Sequence, residues 1–249
     1  MEPVYRTIIG LARTVFFLEG LKFTVTGDGH IPARGGAVLA VNHTGYMDFT
    51  YAGLPARTPK RYIRFMAKKE VFDDKISGPI MRALKHIPVD RSAGADSYRA
   101  ALDNLRRGEL VGVYPEATIS RSFEIKEFKS GAARMALEAQ VPIIPIVIWG
   151  AQRVWTKGFP KRLGRTSTPI SIAVGAPIQP FEPAAELTAQ LRSTMQDMLL
   201  ALQKDYVHES GAYWVPVRLG GSAPTLEEAD AMDAAEAEAK STRKNAAGR

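Results

Sequence analysis

The chain has 249 residues, 45% hydrophobic and 24% charged, which suits one globular domain with a full core and an appendage. It has no cysteine, which excludes disulfides, thiolate metal sites and a cysteine nucleophile. The net charge of +7 points to acidic partners: phosphates, nucleic acid or an anionic membrane.

Val4 to Leu18 reads as a helix. Ile8, Leu11, Ala12, Val15 and Leu18 recur at helical spacing, and Phe16 and Phe17 widen the apolar face. Such a helix either packs on a core or lies on a bilayer surface. Arg13 interrupts this early apolar stretch, so no secretory signal is expected. No segment reaches the roughly 20 apolar residues that a membrane-spanning helix needs. A short strand follows over Leu21 to Thr26, bracketed by Gly20 and Gly27, and a buried strand over Ala37 to Val41.

The segment after that strand, Asn42-His43-Thr44-Gly45-Tyr46-Met47-Asp48, carries the first chemistry. His43 stands where a strand ends, the edge at which open α/β sheets bind ligands. Asp48, five residues on, can fold back to the imidazole, hold one ring nitrogen protonated and leave the other as a base. Spacing alone also allows a helix-capping histidine and an exposed aspartate.

The alternation continues. Arg61 to Ala67 reads as a strand with helices after it, His86 to Val89 as a short strand, and Asp96 to Arg107 as a helix closed by Gly108. Leu110 to Tyr114 is a buried strand, Gly131 to Gln140 a helix, Ile143 to Trp149 and Ile170 to Val174 strands, and Pro183 to Lys204 a long amphipathic helix. This pattern predicts an α/β fold with a mainly parallel central sheet flanked by helices. Two basic-aromatic segments, Lys60 to Lys69 and Trp155 to Arg162, suit a membrane interface or the phosphates of a carrier or nucleic acid. From Thr225 the chain turns Ala/Glu-rich, with six acidic and four basic residues. Thr225 and Glu228 have capping-box spacing, so this tail reads as a peripheral helix fraying into disorder, with little to add to the core.

Four blocks, in order, resemble those of the glycerolipid acyltransferases typified by 1-acylglycerol-3-phosphate acyltransferase. They are Asn42-His43 with Asp48, Ile87-Pro88-Val89-Asp90-Arg91, Tyr114-Pro115-Glu116-Ala117-Thr118-Ile119-Ser120, and Val141-Pro142-Ile143-Ile144-Pro145. The resemblance implies acyl transfer from a thioester, acyl-CoA or an acyl carrier protein, to the free hydroxyl of lysophosphatidic acid. It makes His43 the general base and Asp48 its orienting partner, with no bound cofactor or metal. It places Arg91, Glu116, Thr118, Ser120, Arg121, Lys68 and Lys129 around the acceptor. Two departures stand out: Ala117 occupies the family's glycine and Ile119 its arginine, and Arg121 is the nearest replacement cation. The expected domains are an amphipathic N-terminal helix over 1–20, a catalytic domain over 21–224 and a charged tail over 225–249. The N-terminal helix is expected to seat the enzyme peripherally on an anionic membrane, at its cytoplasmic face. The basic residues form no contiguous recognition helix, so nucleic acid is not an expected partner. Transfer to another acceptor, a glycolipid or glycerol 3-phosphate, and acyl-thioester hydrolysis are the alternatives.

Overall fold

A computed structural model describes residues 2–90 and 94–247. Seven strands form one sheet in the order β1-β7-β6-β2-β5-β3-β4. They are β1 (Lys22–Thr26), β2 (Ala37–Val41), β3 (Ile63–Lys68), β4 (Ile87–Val89), β5 (Leu110–Val113), β6 (Ile143–Trp149) and β7 (Pro169–Val174). All neighbours pair in parallel except β6 and β7, which run antiparallel. The helices are α1 (Pro3–Leu18), α2 (Asp48–Ala52), α3 (Lys69–Asp73), α4 (Ser77–Ala83), α5 (Gly94–Arg106), α6 (Gly131–Ala139), α7 (Ala184–Lys204) and α8 (Leu226–Ala247). Strands thus fall within a residue or two of their sequence positions, and the α/β class is as expected.

Helices cover both faces of the sheet, so its central strands are apolar at every position. On β2, Val38 and Ala40 face α5, α6 and α7, among Leu102, Leu105, Met135, Leu191 and Met195. Ala37, Leu39 and Val41 face the other way, toward Phe16 of α1 and Tyr51 of α2. The pleat divides one continuous apolar run between two cores.

β2 lies between β5 and β6, which follow it much later in the chain. The carboxyl ends of β2, β5 and β6 therefore open onto one crevice, the edge where such sheets hold ligands. Asn42, the residue after β2, joins two strands at that edge. Its amide donates to Ile148 O at 3.0 Å and accepts from Ile148 N at 2.7 Å, tying the end of β2 to β6.

The Lys60–Lys69 segment differs from a surface binder. Arg64 is only 2% exposed. It donates to Glu2 Oε2 at 3.0 Å and Leu84 O at 3.1 Å, and lies 3.5 Å from Glu109. Arg61 donates to Pro32 O, Gly35 O and Gly108 O. Both guanidiniums point inward because buried carbonyls and carboxylates there need donors. Through Glu2 the first of them also ties down the start of α1.

Among the described residues, no helix is long and apolar enough to cross a membrane. α1 instead docks by one side. Tyr5 donates to Ile63 O at 3.0 Å, and Phe16 packs against Phe23 and Tyr51 with ring centroids 5.3 and 5.2 Å away. Its other side leaves Val4, Leu11, Val15, Phe17 and Leu18 exposed.

Gly112 in β5 faces the ring of Phe65, and a Cβ there would sit 2.5 Å from two ring carbons. Phe65 in turn stacks on Tyr114. Gly112→Ala should therefore displace Phe65 and destabilise the fold by about 1–3 kcal/mol, the usual result of overpacking a tight core, as read by urea unfolding.

Candidate active site

The site begins at the residue after β2 leaves the sheet. His43 Nδ1 lies 3.0 Å from Asp48 Oδ2, and Asp48 is fully buried. The same oxygen accepts the backbone N–H of Thr44 at 2.7 Å and of Gly45 at 2.8 Å. A carboxylate oxygen accepting three donors requires that Nδ1 carry hydrogen, which leaves Nε2 of the neutral ring as the acceptor. The bend demands glycine at 45, because a Cβ there would sit 2.9 Å from Trp155 O and 3.3 Å from Asp48 Oδ1. Two further bonds hold the bend against the 155–158 loop: Tyr46 N to Trp155 O at 3.0 Å and Thr156 Oγ1 to Thr44 O at 2.6 Å.

The imidazole stacks on Tyr114, at the end of β5, with centroids 4.0 Å apart and planes inclined by 18°. Burial first, and the Asp48 charge second, push the Tyr114 phenol well above its ordinary range. It is a neutral aromatic platform at any working pH, suited to lie against an imidazolium. Tyr114 opens the third block, but nothing in its sequence position marks it as a partner of His43. That contact arises from the side-by-side pairing of β2 and β5.

Glu116 is 5% exposed and both its oxygens are engaged by backbone. Oε1 accepts His43 N at 2.9 Å and Oε2 accepts Lys126 N at 3.2 Å. It braces the histidine loop from below, whereas the sequence places it among acceptor-binding residues. Ser120 is buried as well. Its N–H donates to His43 O at 2.7 Å, and its hydroxyl donates to Glu124 O at 2.7 Å. Ala117 holds φ at +60°, the left-handed region that favours the glycine found there in the family. Thr118 is half-buried on the same loop.

The expected cations are spread differently. Lys68 is exposed at the end of β3, and Lys129 is exposed with its N–H bonded to Pro115 O at 2.9 Å. Arg121 is turned onto α8, where it meets Asp233 at 3.1 Å and Glu236 at 2.8 Å. Arg91 lies outside the described residues. Lys126 and Lys157, on the same side as Arg121, also reach Asp233, each ammonium within 2.8 Å of a carboxylate oxygen. Lys157 sits in the basic-aromatic loop 155–162, where the alternating composition signals only an anion-facing surface. Of the other histidines, His86 accepts Phe65 N at 3.1 Å, and burial with the Arg64 charge lowers it to about 4, so it stays neutral.

Burial pushes Glu116 up to about 8 from its ordinary 4.5, against the two N–H bonds that favour the anion. Below 4.5 both folded and unfolded chains hold the proton, and between there and about 8 only the folded chain does. The stability this group contributes is thus complete in acid and lost as pH rises through about 8. Glu116→Gln should remove that fall, so urea unfolding across the interval should show a flatter pH dependence than the wild type.

The Acyltransferase family model matches residues 22–149, just over half of the chain, including the His43–Asp48 bend, Glu116 and β6. The chain is 29% identical to a 1-acyl-sn-glycerol-3-phosphate acyltransferase of Bacillus subtilis over 199 residues, 78% of this chain and 96% of that one. It is 29% identical to the protein of that name from Limnanthes douglasii and 30% to the alpha form from Mus musculus. Those matches cover 62% and 57% of this chain, and about half the length of each relative, 54% and 50%. Among solved structures, the 1-acyl-sn-glycerophosphate (LPA) acyltransferase from Thermotoga maritima superposes with a TM-score of 0.65 at 22% identity, covering 82% of this chain and 81% of that one. Fold, family match and the ordered blocks agree, and the chain belongs to the Acyltransferase family.

Proposed function

We propose that this protein transfers a fatty acyl group from an acyl thioester, acyl-CoA or acyl carrier protein, to the free hydroxyl of 1-acylglycerol-3-phosphate, forming phosphatidic acid. The observation that carries the proposal is the His43–Asp48 pair, fixed with Nε2 as its proton acceptor at the mouth of a family-matched domain. The names of the relatives supply the acceptor. Nε2 takes the hydroxyl proton as the oxygen attacks the thioester carbonyl. The tetrahedral adduct then collapses, the C–S bond breaks, and the imidazolium returns the proton to the thiolate. A thiol with a pKa of about 8.5 is a good leaving group, so no covalent acyl-enzyme is needed. Asp48 stabilises the imidazolium through Nδ1, and Tyr114 lies against its face.

The acceptor phosphate is assigned to Arg121 with Lys68 or Lys129, and, from the resemblance in the second block, to Arg91. Thr118 and Ser120 shape the loop beside them. An apolar cavity under α1, walled by Tyr5, Phe16, Phe49, Phe65 and Leu84, is the candidate berth for an acyl chain. Phe65 connects it to the site, since it stacks on the same Tyr114 that carries His43.

Membrane seating at the cytoplasmic face belongs to the same proposal. Val4, Leu11, Val15 and Leu18 form one exposed stripe of α1, while Ile8 beside them turns toward the cavity that Tyr5 and Phe16 wall. A stripe of this kind suits the interface of an anionic bilayer.

His43→Ala should cost on the order of 10²–10⁴-fold in turnover with the fold intact, and Asp48→Asn a loss of similar order. Thiol release reports the reaction with no background from the enzyme, which contains no cysteine. Acceptors with and without a phosphate, glycerol 3-phosphate, a glycolipid and water alone should be compared. Preferred turnover of any but the lysophosphatidate would overturn the acceptor assignment.

Converting Leu11 and Val15 together to Glu should weaken binding to anionic vesicles about tenfold or more, since each buried apolar side chain contributes about 1.5–3 kcal/mol. Both are exposed, so the urea midpoint should hold. Phe16→Ala, on the docked side, should instead cost about 3–5 kcal/mol of stability.

A further inference from the structure

Arg121, Lys126 and Lys157 form a compact cationic cluster, and three carboxylates of α8 fill it. Asp233 reaches all three cations: Arg121 Nε at 3.1 Å, Lys126 Nζ at 2.8 Å and Lys157 Nζ at 2.7 Å. Glu236 adds Arg121 at 2.8 Å and Lys157 at 2.7 Å, and Asp230 adds Lys126 at 2.8 Å. Asp230, Asp233 and Glu236 recur every third residue, so they share one side of the helix.

The cluster adjoins the reacting edge. Lys126 N bonds one oxygen of Glu116, whose other oxygen bonds His43 N. Ser120, which precedes Arg121, donates to His43 O, and Thr156, which precedes Lys157, donates to Thr44 O. Each of the three residues therefore stands two links from the loop that carries the base: Lys126 by two hydrogen bonds, Arg121 and Lys157 each by a neighbouring residue and its hydrogen bond.

α8 itself is lightly held. Ala229 is its one buried residue among those described, so ion pairs rather than apolar packing keep it in place. The paired side chains keep 10–29% of their exposure, and Asp230 65%, so salt screens these pairs in part. The helix is rich in Ala and Glu and opens with reciprocal capping bonds between Thr225 and Glu228, so its helicity needs little from the body of the protein.

We propose that Arg121, Lys126 and Lys157 are a phosphate-binding site beside the catalytic loop, and that α8 is an internal competitor which a phosphorylated substrate displaces. Asp233, touching all three cations, occupies the position of the phosphate. This rests on the acyl-transfer reading for its substrate, but not for its motion. The phosphate is that of the lipid acceptor or of the thioester carrier, and the two are separable by experiment.

With no native cysteine, Met232→Cys gives a single attachment point for a spin label on the exposed side of α8. Inorganic phosphate should increase the label's mobility, and sodium chloride at matched ionic strength should do so less. In the variant Asp230→Asn, Asp233→Asn, Glu236→Gln the label should be mobile without ligand. Its Michaelis constant for a phosphorylated acceptor should fall about three- to tenfold, since removing a competing closed state raises the competent fraction. A fall for an acyl-CoA donor, with the acceptor unchanged, would assign the site to the carrier's phosphates. A label that stays immobile through the phosphate titration would overturn the proposal, as would a variant with neither Michaelis constant lowered. Mobility responding to phosphate in a protein that acylates no phosphorylated acceptor would retire the acceptor assignment and keep the displaceable helix. The titration uses the native charges, so it decides the matter even if the triple variant folds poorly.

Discussion

Asp48 Oδ2 accepts three N–H donors between 2.7 and 3.0 Å, and each fixes something different. The bond from His43 sets the tautomer. The bonds from Thr44 and Gly45 set the curvature of the backbone that carries the ring. A buried carboxylate without donors is costly, so the bend and the charge stabilise each other. Glycine at 45 follows from this curvature, as do the bonds from Tyr46 and Thr156 that hold the bend against the 155–158 loop. The base is thus positioned by backbone geometry that one oxygen organises.

Glu116 supports the same loop from the opposite side by a different balance. Its two N–H bonds favour the anion, while burial favours the acid and prevails. A neutral brace next to Asp48 keeps a second negative charge away from the imidazole. Within a single loop cluster, Asp48 gathers three donors on one oxygen, while burial keeps Glu116 protonated up to about 8.

The strands were legible because the central ones are apolar at every position and are bounded by turn residues, as in Ala37–Val41 and Ile143–Trp149. His43 and Asp48 were legible because both lie on one short local bend. What sequence could not place were contacts made by folding. Tyr114 meets His43 only because β5 pairs with β2. Arg64 looks like a surface cation in its basic segment, yet Glu2 and Glu109, from distant parts of the chain, draw it inside. The acidic tail read as solvated because composition carries no information about which cations its carboxylates reach.

Ala117 has a consequence of its own. At φ +60° it bears a steric cost that glycine would not, on the order of 1–2 kcal/mol. The turn persists because Ala117 N bonds Tyr114 O at 3.0 Å and Lys129 N bonds Pro115 O at 2.9 Å. Glycine would relax the turn and also widen the range of shapes open to it. Alanine narrows that range, so the segment between the aromatic platform and the buried brace behaves as a stiff spacer rather than a hinge. A methyl group at the tip of a turn thereby exchanges some stability for a fixed separation between two parts of the site.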